Sequence, residues 1–125
     1  MNWLYVAFGG ALGSMARYFM QTFIGRISGV SFPYGTLFVN ISGSLIMGMF
    51  IGWLGRTTPS NAQDLRLLIA VGVLGGYTTF SSFSLDAITL MDEQKYMAMA
   101  AYVLGSVILS LMGLYAGLRL MRVLA

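Results

Sequence analysis

The chain has 125 residues, 58% of them hydrophobic and only 9% charged, with a net charge of +3, whereas soluble domains carry about 25% charged residues. That composition, with a mean hydropathy of +0.79, excludes an ordinary soluble domain and points to a membrane. Cysteine and histidine are both absent, which removes disulfides, thiolate metal sites, cysteine nucleophiles and the commonest general base.

The first apolar run spans roughly Trp3 to Ile24. It begins at once, without a basic leader or a small-x-small cleavage site, and is read as a retained membrane helix and not a signal peptide. Gly9 and Gly13 have the spacing that lets two helices approach closely in lipid. Arg17 lies about fourteen residues into the run. It either snorkels to an interface or lends positive potential to an aqueous cavity used by an anion.

A loop, GRISGVSFPYG, carries Gly25, Gly29 and Pro33, the proline suited to the first turn of the next helix. The second run covers about Tyr34 to Leu54, with Asn40 at membrane depth and Gly48 and Gly52 at packing spacing, Ser44 one step before them. An intramembrane Asn either joins two helices or meets a polar solute. The next loop, GRTTPSNAQ, has Pro59, and Ser60 with Gln63 has capping-box spacing.

The third run, about Asp64 to Met91, holds an anomaly, GVLGGYTTFSSFS, from Gly72 to Ser84. A glycine pair, Gly75-Gly76, meets five Ser and Thr residues, with Phe80 and Phe83 on one face by their spacing and Ser81 and Ser84 on an adjoining one. After the polar turn Asp92–Lys95, the fourth run covers about Tyr96 to Leu120. Tyr102, Ser106 and Ser110 form a hydroxyl stripe on one of its faces, and Gly113 and Gly117 repeat the packing spacing.

Four spans place both termini on one side, together with Arg56, Arg66, Arg119 and Arg122; Arg26 and Lys95 lie on the other. This bias is shallow. It fits a chain that inserts in either orientation, and leaves a single orientation open. Each glycine pair packs helices either within the monomer or between copies, and because four short helices enclose little space, the faces together predict a dimer. No basic cluster suggests nucleic acid, and no protein partner beyond a second copy is evident.

The polar groups at depth are neutral donors: hydroxyls, an amide and aromatic ring edges, which carry the positive part of the quadrupole. The first two spans hold no carboxylate, and the deep acidic candidate is Asp86. Cation pathways display acidic rings or converging carbonyls, and proton coupling needs a titratable group. The donor set favours a small, strongly hydrated anion.

Three stretches, GGALGSMARY (Gly9–Tyr18), GTLFVN (Gly35–Asn40) and GVLGGYTTFSSFS, resemble the Fluc, or CrcB, fluoride channels of microorganisms, over essentially the whole chain. The resemblance implies an all-α membrane protein with the third helix broken near its middle. It also implies an antiparallel, dual-topology homodimer with two fluoride pores in the inner membrane. Backbone carbonyls of Gly75 and Thr78 would hold a structural Na⁺ at the dimer interface, Gly75-Gly76 supplying the backbone angles of the break. Asn40, Phe80, Phe83, Tyr102, Ser106 and Ser110 match pore residues, Arg17 the vestibule basic residue, and Thr79, Ser81, Ser82 and Ser84 lie near the pore by sequence. Ser82 stands where the family commonly has threonine, and Asp86 where it often has glutamate.

The main rival is a small multidrug-resistance-type antiporter, also a dimer of four-helix chains. It needs a glutamate in the first span, and residues 3–24 contain no acid. A structural accessory subunit is a second rival.

Overall fold

In lipid a backbone must satisfy its own amides and carbonyls, so apolar runs of this length become helices. In the computed structural model, which describes residues 1–124, they form α1 (Asn2–Ser28), α2 (Tyr34–Thr57), a segmented third span and α6 (Tyr96–Leu124). The third span starts as α3 (Ala62–Leu65) and widens into a π-helix over Arg66–Leu74. It closes with the single turn α4 (Gly75–Tyr77) and resumes as α5 (Phe80–Asp92). No strand occurs among the described residues.

Three stretches are long and apolar enough to cross a membrane: Tyr34–Thr57, Ala62–Asp92 and Tyr96–Leu124. α1 matches them with 27 residues, but Arg17, Gln21, Thr22 and its small residues dilute its apolar character. The predicted all-α membrane architecture is thus the one the chain adopts.

Two expected helix starts are corrected. The third span is capped by neither Ser60 nor a Ser60–Gln63 box. Its N-cap is Asn61, without a side-chain cap bond, and the turn is closed instead by the Ala62 amide on the Pro59 carbonyl at 3.1 Å. Pro33 sits at the N-cap of α2 and not inside its first turn. There its missing N–H costs nothing, because the opening amides of a helix have no intrahelical partner.

Glycine sets how close the helices come. α2 and α6 lie side by side and run parallel: Gly48 faces Leu114, Gly52 faces Leu118 and Met121, and Gly117 faces Leu45 and Met49. A Cβ on Gly48 would run into the Leu114 carbonyl, and one on Gly117 into the Leu45 carbonyl. On the other side of the bundle α1 packs on the first half of the third span. Gly9 meets Leu68 and Gly72, Gly13 meets Val73 and Tyr77, and Gly76 meets Gly10 and Ser14. These faces therefore pack inside one chain. Their spacing reports contacts within the chain and speaks neither for nor against a second copy.

The largest correction concerns the helix break. Gly75 has helical angles (φ −63°, ψ −37°) and closes the first half of the span. The chain leaves the helix at Thr78 (φ −83°, ψ 157°) and Thr79 (φ −153°, ψ 116°). These are extended angles that any residue adopts, so the break needs no glycine. Gly76 serves close packing against Gly10, while Gly75 is exposed on the surface of the chain.

Candidate functional site

Thr79 is held at the break from two directions. Its amide donates to Asn40 Oδ1 at 2.8 Å, and Asn40 Nδ2 donates back to its carbonyl at 3.1 Å. An amide side chain can satisfy one peptide unit with both of its ends, so Asn40 replaces the helical partners that Thr79 has lost. The Thr79 hydroxyl caps the resumed helix by accepting from the Ser82 amide at 3.1 Å. On the other side of the break, Thr78 Oγ1 and the Thr78 amide both donate to the Leu74 carbonyl, at 2.9 and 3.0 Å. Asn40 therefore braces the backbone as well as facing polar space, a role its sequence context alone did not distinguish.

The break leaves the carbonyls of Gly75, Gly76, Tyr77 and Thr78 without their helical partners. In a continuous helix Gly75 O would accept from the Thr79 amide, and Thr78 O from the Ser82 amide. The first of those amides goes to Asn40 and the second to the Thr79 hydroxyl. Gly75 and Thr78 are the two residues whose carbonyls the resemblance assigns to Na⁺. Bare carbonyl oxygens suit a hard cation. The described residues hold no group of His, Cys, Asp or Glu that could bind a metal ion. The donor set fits the ion.

Beside the break lies a cavity of about 390 Å³, bounded by α2, the start of α5 and α6. Its polar lining is Asn40, Ser44, Thr78, Thr79, Ser106 and Ser110, with Gly43 beside them. Phe80, Phe83 and Val107 form apolar walls, with Met47, Leu111 and Leu114 further along the lining. No charged side chain lines it. The N-terminus of α5 borders it, and that end of a helix carries partial positive charge.

Six of the residues matched to the pore from sequence meet here, Asn40, Thr79, Phe80, Phe83, Ser106 and Ser110, with Thr78 beside them. The Phe80 and Phe83 rings stand 5.4 Å apart, tilted by 46°. Phe80 is 77% exposed in the single chain. Ser106 is only 5% exposed, and its hydroxyl has no hydrogen-bond partner among the described residues.

The remaining candidates lie elsewhere. Tyr102 is fully buried above the cavity, with its ring 5.3 Å from Phe83 and edge-on to Phe32 at 5.7 Å. Its hydroxyl donates to Asp86 Oδ2 at 3.0 Å, which gives that carboxylate a partner. Ser81 and Ser84 do not line the cavity. The Ser84 hydroxyl donates to the Phe80 carbonyl at 3.0 Å, and Ser81 Oγ pairs with Thr79 Oγ1 at 3.3 Å. The back-bond of Ser84 is the ordinary fate of a helical serine. Arg17 is half-buried on α1, away from this cavity, and no carboxylate pairs with it among the described residues.

Sequence reasoning passed over Tyr77, whose hydroxyl meets Ser42 Oγ at 2.9 Å and ties the end of the first half-span to α2. It also passed over Gln21, which donates to Thr36 Oγ1 at 3.0 Å. Both lie within apolar runs, and their partners stand 15 residues away for Gln21 and 35 for Tyr77, a separation that leaves no one-dimensional signal.

An all-helical bundle with a broken third span and a hydroxyl-lined, uncharged cavity at the break is a multi-pass membrane protein of the transport type, in which irregular backbone at depth is kept where it borders a polar space. Residues 4–118 match the family model described as CrcB-like protein, Camphor Resistance (CrcB), and the chain belongs to that family. It is 50% identical over 122 residues, 98% of each chain, to the "Fluoride-specific ion channel FluC" of Rhodopseudomonas palustris (strain BisB5). It is 46% identical to "Fluoride-specific ion channel FluC 1" of Nitrobacter hamburgensis, covering 99% of this chain and 100% of that one. With the FluC of Caulobacter sp. (strain K31) it shares 43% identity, over 95% and 93% of the two chains.

Proposed function

We propose that this chain is a subunit of a fluoride-specific channel that conducts F⁻ passively through the cavity beside the helix break. The carrying observation is the chemistry of that cavity: hydroxyls and an amide around a space without a single charged side chain, in a chain whose relatives bear the name of fluoride channels. A small anion that sheds its water needs replacement donors, and Ser106 holds one that is buried and unpaired. A fixed cation would bind the ion too tightly to release it, since conduction requires binding strong enough to enter and weak enough to leave.

The working unit is an antiparallel homodimer of two chains with opposite orientations, carrying two pores. Support comes from Phe80, a large aromatic at the cavity wall that its own chain leaves exposed, and from the shallow charge bias. The bare carbonyls of Gly75 and Thr78 would hold Na⁺ between the subunits, where it neutralises oxygens that two apposed breaks would otherwise bury. In the inner membrane such a channel exports fluoride. Hydrofluoric acid diffuses in as a neutral weak acid from an acidic exterior and ionises, and the channel returns the trapped anion.

The test is rescue. A bacterial strain lacking its own fluoride exporter should grow, when it expresses this chain, at fluoride concentrations that stop the parent. Failure to grow with the chain present in the membrane would contradict the function.

A further inference from the structure

Many helical hydroxyls of this chain bond back to their own backbone, Thr78 Oγ1 on the cavity wall among them, while three serines of the cavity do not. Ser42, Thr57, Ser84 and Thr89 each donate to the carbonyl four residues earlier, at 2.7, 2.8, 3.0 and 2.8 Å. Ser44, Ser106 and Ser110 make no such bond among the described residues, and all three line the one cavity. A helical serine that forgoes its back-bond keeps its proton for something else. Ser44 is the unexpected member. Its place before Gly48 and Gly52 marked it as a packing residue, yet the backbone contact between α2 and α6 is made by Gly48, Gly52 and Gly117.

From this we infer that Ser44 is a further fluoride ligand, acting with Ser110 as the last polar position before an apolar stretch of the lining. The inference rests on the channel function proposed above. The parallel register of α2 and α6 carries it. Gly113 on α6 lies level with Ile41 and Leu45, and Gly48 on α2 lies level with Leu114. Asn40 and Ser106 therefore lie toward one end of the cavity, Ser44 and Ser110 a turn further along each helix, and Met47 and Leu114 beyond them. One helical turn rises about 5.4 Å, so the two polar pairs are separate positions for an ion and not one site. Only one amide hydrogen of Asn40 remains for the first of them, because the other, with Oδ1, braces Thr79. Beyond Ser44 the lining carries no polar side chain. An anion leaving Ser44 and Ser110 must cross Met47, Leu111 and Leu114 without a donor, so that pair sets how far it stays solvated.

Fluoride efflux from liposomes containing purified wild-type, Ser44→Ala, Ser44→Thr and Ser42→Ala chains tests this. A lost charge-assisted hydrogen bond corresponds to a slowing of roughly tenfold or more. That loss is expected for Ser44→Ala, with recovery in Ser44→Thr, which restores the hydroxyl. Ser42→Ala should conduct like the wild type, because its hydroxyl is engaged by Phe38 and Tyr77. Size-exclusion profiles check assembly, and Ser44→Gly provides a second truncation where alanine disturbs packing. Wild-type conduction with unchanged rates in both truncations overturns the role of Ser44 and leaves the channel standing. A wild-type chain that passes no fluoride overturns the channel function itself.

Discussion

The two halves of the third span belong to one largely apolar stretch, yet they are built for different tasks. From Ala62 to Tyr77 the helix is partly π-wound, and small residues press its backbone against α1 through Gly9, Gly13, Gly72 and Gly76. From Phe80 to Asp92 the helix is regular, begins on a threonine cap and turns its side chains toward α2 and α6. Only two residues separate the halves, Thr78 and Thr79. The first half solves a packing problem with backbone, and the second presents chemistry with side chains. A helix break in a membrane is the joint that lets one span do both.

The comparison predicts that the halves fail differently. Gly13→Leu should have the largest effect, because its side chain would enter the space of the Val73 carbonyl and the Tyr77 amide. Forcing apart two backbones costs about 3 kcal/mol or more, and size exclusion in detergent should show aggregate in place of a defined species. Asn40→Ala removes both bonds that brace Thr79. Its expected outcome is a fall in fluoride flux of about a hundredfold, the scale of losing two buried hydrogen bonds, measured by efflux on whatever fraction still assembles. Phe83→Ile keeps the apolar volume but removes the ring edge beside the cavity. Flux should fall about tenfold, consistent with the strength of specific aromatic contacts, while the size-exclusion profile stays unchanged. Ser84→Ala should be nearly silent, within about 0.5 kcal/mol in thermal unfolding, since its hydroxyl serves only the Phe80 carbonyl.

What the sequence revealed follows the same division. The helices were legible because an apolar run in lipid has one way to satisfy its backbone. Phe80, Phe83, Ser106 and Ser110 were legible because helical spacing puts them on shared faces, and the structure brings them to one cavity. The position of the break was misread because Gly75-Gly76 is the obvious weak point in a one-dimensional pattern. The actual break is stabilised from outside the segment, by an asparagine 39 residues earlier in the chain, and no local propensity encodes that. Ser44 and Ser84 look alike as serines in apolar helices. Which hydroxyl is free depends on the orientation of each helix against its neighbours, and this emerges only when the bundle is assembled. The glycine faces show the reverse case. Their spacing correctly predicted close packing, but spacing is silent about whether the partner helix belongs to the same chain.

The central claim is that the uncharged cavity at the break is a selective path for fluoride. Its most direct test is ion efflux from liposomes carrying the purified chain, loaded in parallel with fluoride or with chloride and started by an ionophore that dissipates the opposing potential. Rapid loss of fluoride with chloride retained is the predicted result. Equal rates for the two ions, or no efflux of either, would contradict the account.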